Sequence, residues 1–373
     1  MRRGAILNWL VYRYARARRR PPRKTRFAVG IFKPDRIGDF VLSIPTIKLI
    51  VDKHGAENCV LFHSDAVGEL VAQHFAGVKA VRLPILSGRL WIDVVRLGRR
   101  LGEHPRDGIA TERMYCLRHY RSLQDELMLM SLPTRRVVAV RNKAILGVKG
   151  EIVGRRFEGD EIYERPDESD GACDDLRCHA VVVRNAVDPN AAIGSVKPRF
   201  SRDTRTETNH LVVAPFGSLA LRDLPSGIVK AVVEYCHTNH GLVPITLGPE
   251  DGRKRLEAYF GGLGIKGVAA AFVQTDSLLK LQDELGKARL VFTTETGTAH
   301  IACALDCRMV ALLGGGNFGL FAPWSNSTRQ QWVHNRTPCY HCNWYCNQDE
   351  VYCLTSIQKE RIFSAIDAVL GVP

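Results

Sequence analysis

Short apolar runs alternate along this chain with longer stretches whose apolar positions recur at helical spacing. In the first half the runs at residues 27–32, 60–63, 80–83, 108–111 and 136–140 predict buried strands, the fourth of them reaching the acidic Glu112. Helical spacing covers residues 41–52, 66–75, 90–101 and 121–131 between them. Residues 145–175, rich in Gly, Asp, Glu and Arg, predict a hairpin or mobile loop, and residues 180–186 a helix. Residues 187–208 are polar with two prolines and predict a domain boundary. The alternation then restarts, with strands expected at 211–215, 243–247, 268–272, 290–293 and 309–313, and helices at 227–237, 254–259, 277–285, 299–305 and 356–370. Strands alternating with helices of this length predict parallel α/β sheets, here as two Rossmann-like halves with a cleft between them.

Two of the strand-to-helix turns carry chemistry. One is Lys33-Pro34-Asp35-Arg36-Ile37-Gly38-Asp39-Phe40, and the other is Thr294-Glu295-Thr296-Gly297-Thr298-Ala299-His300. Open α/β sheets bind ligands beyond the carboxyl ends of their strands. Glycine lets the backbone approach a ligand there, and the first N–H groups of the helix point at an anion. Asp39 in the first turn and His300 in the second add a proton acceptor and an imidazole to these cradles.

With 373 residues and 45% hydrophobic content the chain can bury a full core, and no apolar run approaches the roughly 20 residues that span a bilayer. The formal charge of +13 is concentrated: residues 1–24 hold nine basic residues and no acid, which leaves +4 for the rest. A nucleic-acid groove spread over the fold is therefore not implied. Within that arm Ile6, Leu7, Trp9, Leu10, Val11, Tyr12 and Tyr14 stand between arginines, the pattern of an interfacial helix on an anionic membrane surface or of a solvated basic tail. Arginines occupy the place where a signal peptide would have its small-residue cleavage site, which predicts a cytoplasmic protein, peripheral on the inner face of the membrane.

Eleven cysteines include a cluster, Cys339-x2-Cys342-x3-Cys346-x6-Cys353, with His341 inside it. The ligand types and spacing suit a closed structural Zn or Fe site, with no open coordination position for catalysis. The other reading is a set of free thiols in a loop that pins the last helix.

Asp35-Arg36-Ile37-Gly38-Asp39-Phe40-Val41-Leu42-Ser43-Ile44-Pro45 is similar to the N-terminal signature of glycosyltransferase family 9, the lipopolysaccharide heptosyltransferases. So are Ala214-Pro215-Phe216-Gly217-Ser218 through Arg222-Asp223-Leu224-Pro225, Leu247-Gly248-Pro249-Glu250, and Glu295-Thr296-Gly297-Thr298-Ala299-His300 with Leu313-Gly314 beyond. The four motifs follow the family's order. The resemblance implies a GT-B fold of two Rossmann-like domains with parallel sheets facing across a cleft: an acceptor domain over residues 25–205 behind the arm, and a donor domain over 206–373 that carries the Cys-rich segment 339–353.

By the same resemblance Asp39 is the base that deprotonates the acceptor hydroxyl, with Asp35, Arg36 and Gly38 beside the acceptor. Gly217 and Ser218 contact donor phosphate, and Arg222, where relatives often carry Lys, neutralises the departing diphosphate without a metal. Glu250 holds the nucleoside, and Thr296, Gly297 and His300 face the phosphates or sugar. Glu295 departs from the family, whose members mostly have Asp there, and so admits a different or re-posed donor sugar. The expected activity is inverting transfer of a sugar, heptose or a relative, from a nucleotide-diphosphate donor such as ADP-heptose to a membrane-linked glycan or glycolipid, with no cofactor for catalysis. A protein side chain as acceptor is the second reading. The third is a nucleotide- or nucleic-acid-binding module, for which residues 15–24 lack the interleaved aromatics.

Overall fold

The computed structural model of the chain describes residues 21–84, 106–141, 145–146, 152–153, 160–166, 173–201 and 207–371. The expected helix at 90–101 and most of the basic arm lie outside the described residues. The chain divides into two compact units, one of Met1–Glu168 with Asp175–Val196 and one of Ser169–Asp174 with Lys197–Pro373.

In the first unit β1 (Phe27–Lys33), β2 (Cys59–Ser64), β3 (Lys79–Leu83), β4 (Thr111–Cys116), β5 (Thr134–Val140) and, past a short antiparallel hairpin of β6 (Ile145–Leu146) and β7 (Ile152–Val153), β8 (Glu161–Tyr163) follow in sequence. The sheet is parallel throughout, in the order β3-β2-β1-β4-β5-β8. Its helices are α1 (Ile37–His54), α2 (Gly68–His74), α3 (Leu123–Ser131) and α4 (Asp174–Ala186). β1 is central, and six of its seven residues are buried, as a strand covered on both faces requires. Gly30 lies opposite Met114 on β4, and a Cβ there would come within 2.6 Å of the methionine sulfur, so the thioether fills the space that the glycine leaves. α1 buries Phe40, Val41, Ile44, Ile47 and Ile50.

The second unit repeats this plan with β9 (His210–Ala214), α5 (Ser226–His240), β10 (Val243–Gly248), α6 (Arg253–Gly262), β11 (Ala271–Gln274), α7 (Leu278–Lys287), β12 (Leu290–Thr294), α8 (Gly297–Ala304), β13 (Met309–Leu313) and β14 (Gln330–His334), closed by α9 (Tyr352–Thr355) and α10 (Lys359–Leu370). Its sheet runs β11-β10-β9-β12-β13-β14, again all parallel. Ile362, Ile366 and Val369 of α10 share one core with Val229, Val232 and Val233 of α5 and with Val310 and Leu312 of β13.

Both sheets thus have the doubly wound order, in which the chain starts at the middle, moves to one side and then crosses to the other. The crossing separates the carboxyl ends of β1 and β4 in one unit and of β9 and β12 in the other. Three expectations need correction. The fourth strand begins at Thr111, where it was expected to end, and a 3₁₀ turn, Arg106–Ile109, precedes it. β14 was not foreseen, and the closing helix begins at Lys359, behind a separate short helix over Tyr352–Thr355. Among the described residues no helix is long and apolar enough to cross a membrane.

Candidate functional site

β1 ends on Lys33, whose ammonium is fully buried; Nζ donates to the carbonyl of Leu117, just beyond β4, at 2.9 Å and pairs with Asp35 Oδ2 at 3.1 Å. Asp35 also pairs with Arg118, which reaches on to Asp125 Oδ2 at 2.9 Å. Asp125 is fixed in turn by a capping box at the start of α3, where it accepts from the Ser122 N–H at 2.8 Å. The crossing point between β1 and β4 is therefore stitched by buried charge pairs, and Asp35 turns inward to make them. Arg36 is exposed as the N-cap of α1, and Gly38 and Asp39 occupy the first turn of that helix, partly accessible.

Asp39 is the outlying titratable group. Burial, then the Asp35 carboxylate beside it, push its pKa up to about 7, against the pull of the Lys33 ammonium. Deeper in the unit, burial opposes ionisation of Asp175, yet Lys33, His179 and His119 hold its carboxyl well below the usual range. Asp175 Oδ1 lies 3.4 Å from His119 Nδ1 and 3.8 Å from His179 Nε2. Sequence reasoning missed Lys33, Arg118 and Asp175. Lys33 stood in the quoted motif, and Arg118 follows the strand adjacent to β1, so the strand order alone would have flagged both.

In the second unit the turn after β9 folds tightly on itself. The Gly217 N–H donates to Asp223 Oδ1 at 2.8 Å, and a Cβ on Gly217 would come within 2.4 Å of the Arg222 Cβ, so only glycine fits. This closure directs Arg222 across the crossing point to β12. Its Nη2 donates to Glu295 Oε2 at 2.9 Å and its Nη1 to Ser218 Oγ at 3.2 Å, while its guanidinium carbon stands 5.3 Å from the centre of the Trp344 ring. Burial pushes the pKa of Glu295 up, and the Arg222 charge opposes that shift.

Thr296 caps α8 with its backbone, and Gly297 opens the helix. His300 lies one turn further in, 3% exposed, and its Nδ1 accepts from Trp324 Nε1 at 3.0 Å, which leaves the proton of a neutral ring on Nε2. Glu250 stands beyond β10, exposed and held by Arg253 through two bonds of 2.8 and 2.9 Å. The structure thus gathers Gly217, Ser218, Arg222 and Glu295 directly and sets Thr296 and Gly297 beside them in the chain. His300 it buries under tryptophan.

Cys339, Cys342, Cys346 and Cys353 are free thiols. Burial raises the pKa of both Cys353 and Cys342; Cys339, Cys342 and Cys346 add to the rise at Cys353, and Cys339 and Cys346 to that at Cys342, so the four are electrostatic neighbours. Among the described residues no three of these sulfurs lie within 4.8 Å of one another. Sulfurs 2.3 Å from a tetrahedral zinc would stand about 3.8 Å apart, so ligation calls for the sulfurs to draw closer together.

Residues 206–349 match the family model of glycosyltransferase family 9 (heptosyltransferase). Among solved structures, the chain is similar to a family 9 glycosyl transferase from Veillonella parvula, with TM-score 0.65 and 11% identity over 94% of this chain and 99% of that one. It is similar to E. coli heptosyltransferase WaaC with ADP, with TM-score 0.62 and 12% identity over 91% and 99% of the two chains. It is also similar to the iron-containing dodecameric glycosyltransferase TibC from enterotoxigenic E. coli, with TM-score 0.52 and 13% identity over 93% and 76%. No curated protein matches the sequence.

Proposed function

We propose that this chain is a glycosyltransferase of family 9 that moves a heptose or related sugar from an ADP-linked donor to a hydroxyl of a membrane-linked glycan, with inversion; the match of residues 206–349 to that family's model and the GT-B-like fold support the reading. The observation that carries this reading is Arg222, set by Glu295 and Ser218 at the β9–β12 crossing point, where a doubly wound sheet takes a nucleotide. The ADP-2-deoxy-2-fluoro heptose bound by WaaC and the ADP-D-beta-D-heptose bound by TibC support the choice of donor.

The acceptor oxygen attacks the anomeric carbon as the bond from that carbon to the diphosphate breaks. Asp39 takes the hydroxyl proton, and its raised pKa matches it to a proton transfer near neutral pH. Arg222 neutralises the negative charge that grows on the leaving diphosphate, which needs no metal. Gly217 and Ser218 contact the phosphates, Thr296 and Gly297 offer the N-terminus of α8, and Glu295 accepts from sugar hydroxyls while holding Arg222. Arg36 and Gly38 meet the acceptor, with Asp35 holding the turn from inside. Glu250 contacts the nucleoside, and the Nε2–H of His300 supports the donor loop. The basic arm draws the enzyme to the anionic cytoplasmic leaflet where the acceptor is anchored.

A thermal-shift panel of ADP-, GDP-, UDP- and CDP-sugars tests the donor. ADP-heptose at about 100 times its dissociation constant should stabilise the fold by roughly 2.7 kcal/mol. A shift with another nucleotide sugar and none with ADP-heptose would overturn the donor assignment.

The cysteine loop fits a structural metal in its donor set of four thiols, and the iron-containing TibC supports that reading. Protein purified anaerobically without chelator is expected to carry about one equivalent of iron or zinc, and Cys342→Ser to lose it and melt at a lower temperature. Metal-free protein from that preparation would leave the free-thiol reading.

A further inference from the structure

The cysteine-rich loop and the donor turn meet at one side chain, Trp344, between Cys342 and Cys346. Its indole is buried against Gly314 and Gly316, two of the three glycines after β13. A Cβ on Gly314 would come within 2.2 Å of the ring, and one on Gly316 within 2.6 Å, so each glycine is an absence of side chain that the indole fills. Tyr340 lies in the same way over Gly315, at 2.4 Å from the position of a Cβ. The loop backbone is tied to two of these glycines: the His341 N–H donates to the Gly315 carbonyl at 2.8 Å and the Asn343 N–H to the Gly316 carbonyl at 3.0 Å. With the Asn317 amide oriented to satisfy both its ends, its oxygen accepts from the indole N–H at 3.3 Å. His341, Asn343 and Trp344 all have positive φ, at 66, 50 and 62°. Non-glycine residues keep such backbone only where their surroundings over-determine it.

Arg222 lies over this fixed ring, with its guanidinium carbon 5.3 Å from the ring centre. We propose that Trp344 is a positioning residue for Arg222, and that the loop from Cys339 to Cys353 is through it a working part of the donor-diphosphate site. Glu295 and Ser218 hold two nitrogens of the guanidinium by hydrogen bonds and leave it free to tilt about them. The indole limits that freedom through its cation–π contact with the guanidinium, which an ammonium would not reproduce in the same way. Whatever orders the loop, be it a metal on the four thiols or their reduced state, then sets the donor site as well as the stability of the C-terminal segment.

The inference rests on the reading that Arg222 faces the donor diphosphate, and the test separates the two. Titration calorimetry with ADP and with adenosine is compared for the wild type, Trp344→Leu and Trp344→Phe, alongside their melting temperatures. Trp344→Leu is expected to weaken ADP about tenfold and adenosine less than twofold, and Trp344→Phe, which restores a ring face, to recover most of the ADP affinity. A packing role alone would lower the melting temperature of both variants and leave the ratio of ADP to adenosine affinity unmoved, and that result overturns the proposal. Equal affinity of wild-type protein for ADP and adenosine would remove the diphosphate reading of Arg222 and this proposal with it. Wild-type preference for ADP retained in full by Trp344→Leu would remove this proposal alone.

Discussion

Asp39→Asn is expected to lower kcat by about 10²- to 10⁴-fold while ADP and ADP-heptose bind as tightly as before, since a positioned general base contributes on that order. The amide keeps the size of the carboxyl and its place in the first turn of α1 but accepts no proton. Donor affinity should hold because Asp39 and Arg222 belong to different compact units. The pH profile gives a second readout. With a pKa of about 7, the wild-type enzyme should gain activity as pH rises through that value, and the rise should vanish in the variant. The linkage has a definite sign. A carboxyl whose pKa is raised on folding from 3.8 to about 7 binds more protons in the folded state across that window, so its contribution to stability falls as pH rises from about 4 to 7. Asp39→Asn should therefore match or exceed the wild type in melting temperature at pH 8 and lose its advantage toward pH 4. Transfer by the variant at the wild-type rate would end the base assignment.

The repeated α/β plan was legible because central strands of a parallel sheet are buried on both faces and so read as continuous apolar runs, as in β1 and β12. What escaped was strand carrying charge. β4 continues through Glu112 and Arg113, which looked like a strand end. The sheet tolerates them because Glu112 pairs with Arg135 at 3.2 Å and Arg113 with Glu161 at 3.6 Å, each partner on another segment. β14 reads Gln-Gln-Trp-Val-His and lies at a sheet edge, with only Gln330 and Val333 buried, so it offered neither an apolar run nor a clean alternation.

The motif residues were legible for a related reason. Asp39, Gly217, Ser218 and Glu295 all follow strands next to a crossing point, where the topology concentrates turns able to face a ligand. Their partners were not. Asp35 meets Arg118 across 83 residues of sequence and Glu295 meets Arg222 across 73, and no local period encodes a pairing of that kind. The inward turn of Asp35 and the burial of His300 under Trp324 have the same origin: Asp35 stands in the turn before α1 and His300 in the first turns of α8, and the surroundings of each side chain are decided by groups brought up from elsewhere in the fold.

Arg222→Ala is expected to cost both stability and activity, and the two losses can be separated. The change removes one partner of an ion pair whose side chains are 15% and 4% exposed, and it strands the Glu295 carboxylate beneath the surface. Breaking such a pair from one side destabilises by about 3–5 kcal/mol, which for a unit of this size lowers the melting temperature by roughly 10 °C. The wild-type pKa of Glu295 is already raised by burial against the pull of Arg222, so the lone carboxyl should hold a proton at higher pH still, and the variant should recover part of its stability on acidification. Adding Glu295→Gln should restore much of the stability at neutral pH, because no unpaired charge remains. It should not restore transfer, since the cation opposite the leaving diphosphate is still missing. ADP affinity should fall in both variants and adenosine affinity should stay near wild type. If the double variant regained full activity together with its stability, Arg222 would be a structural residue, and the charge that stabilises the leaving group would have to come from elsewhere.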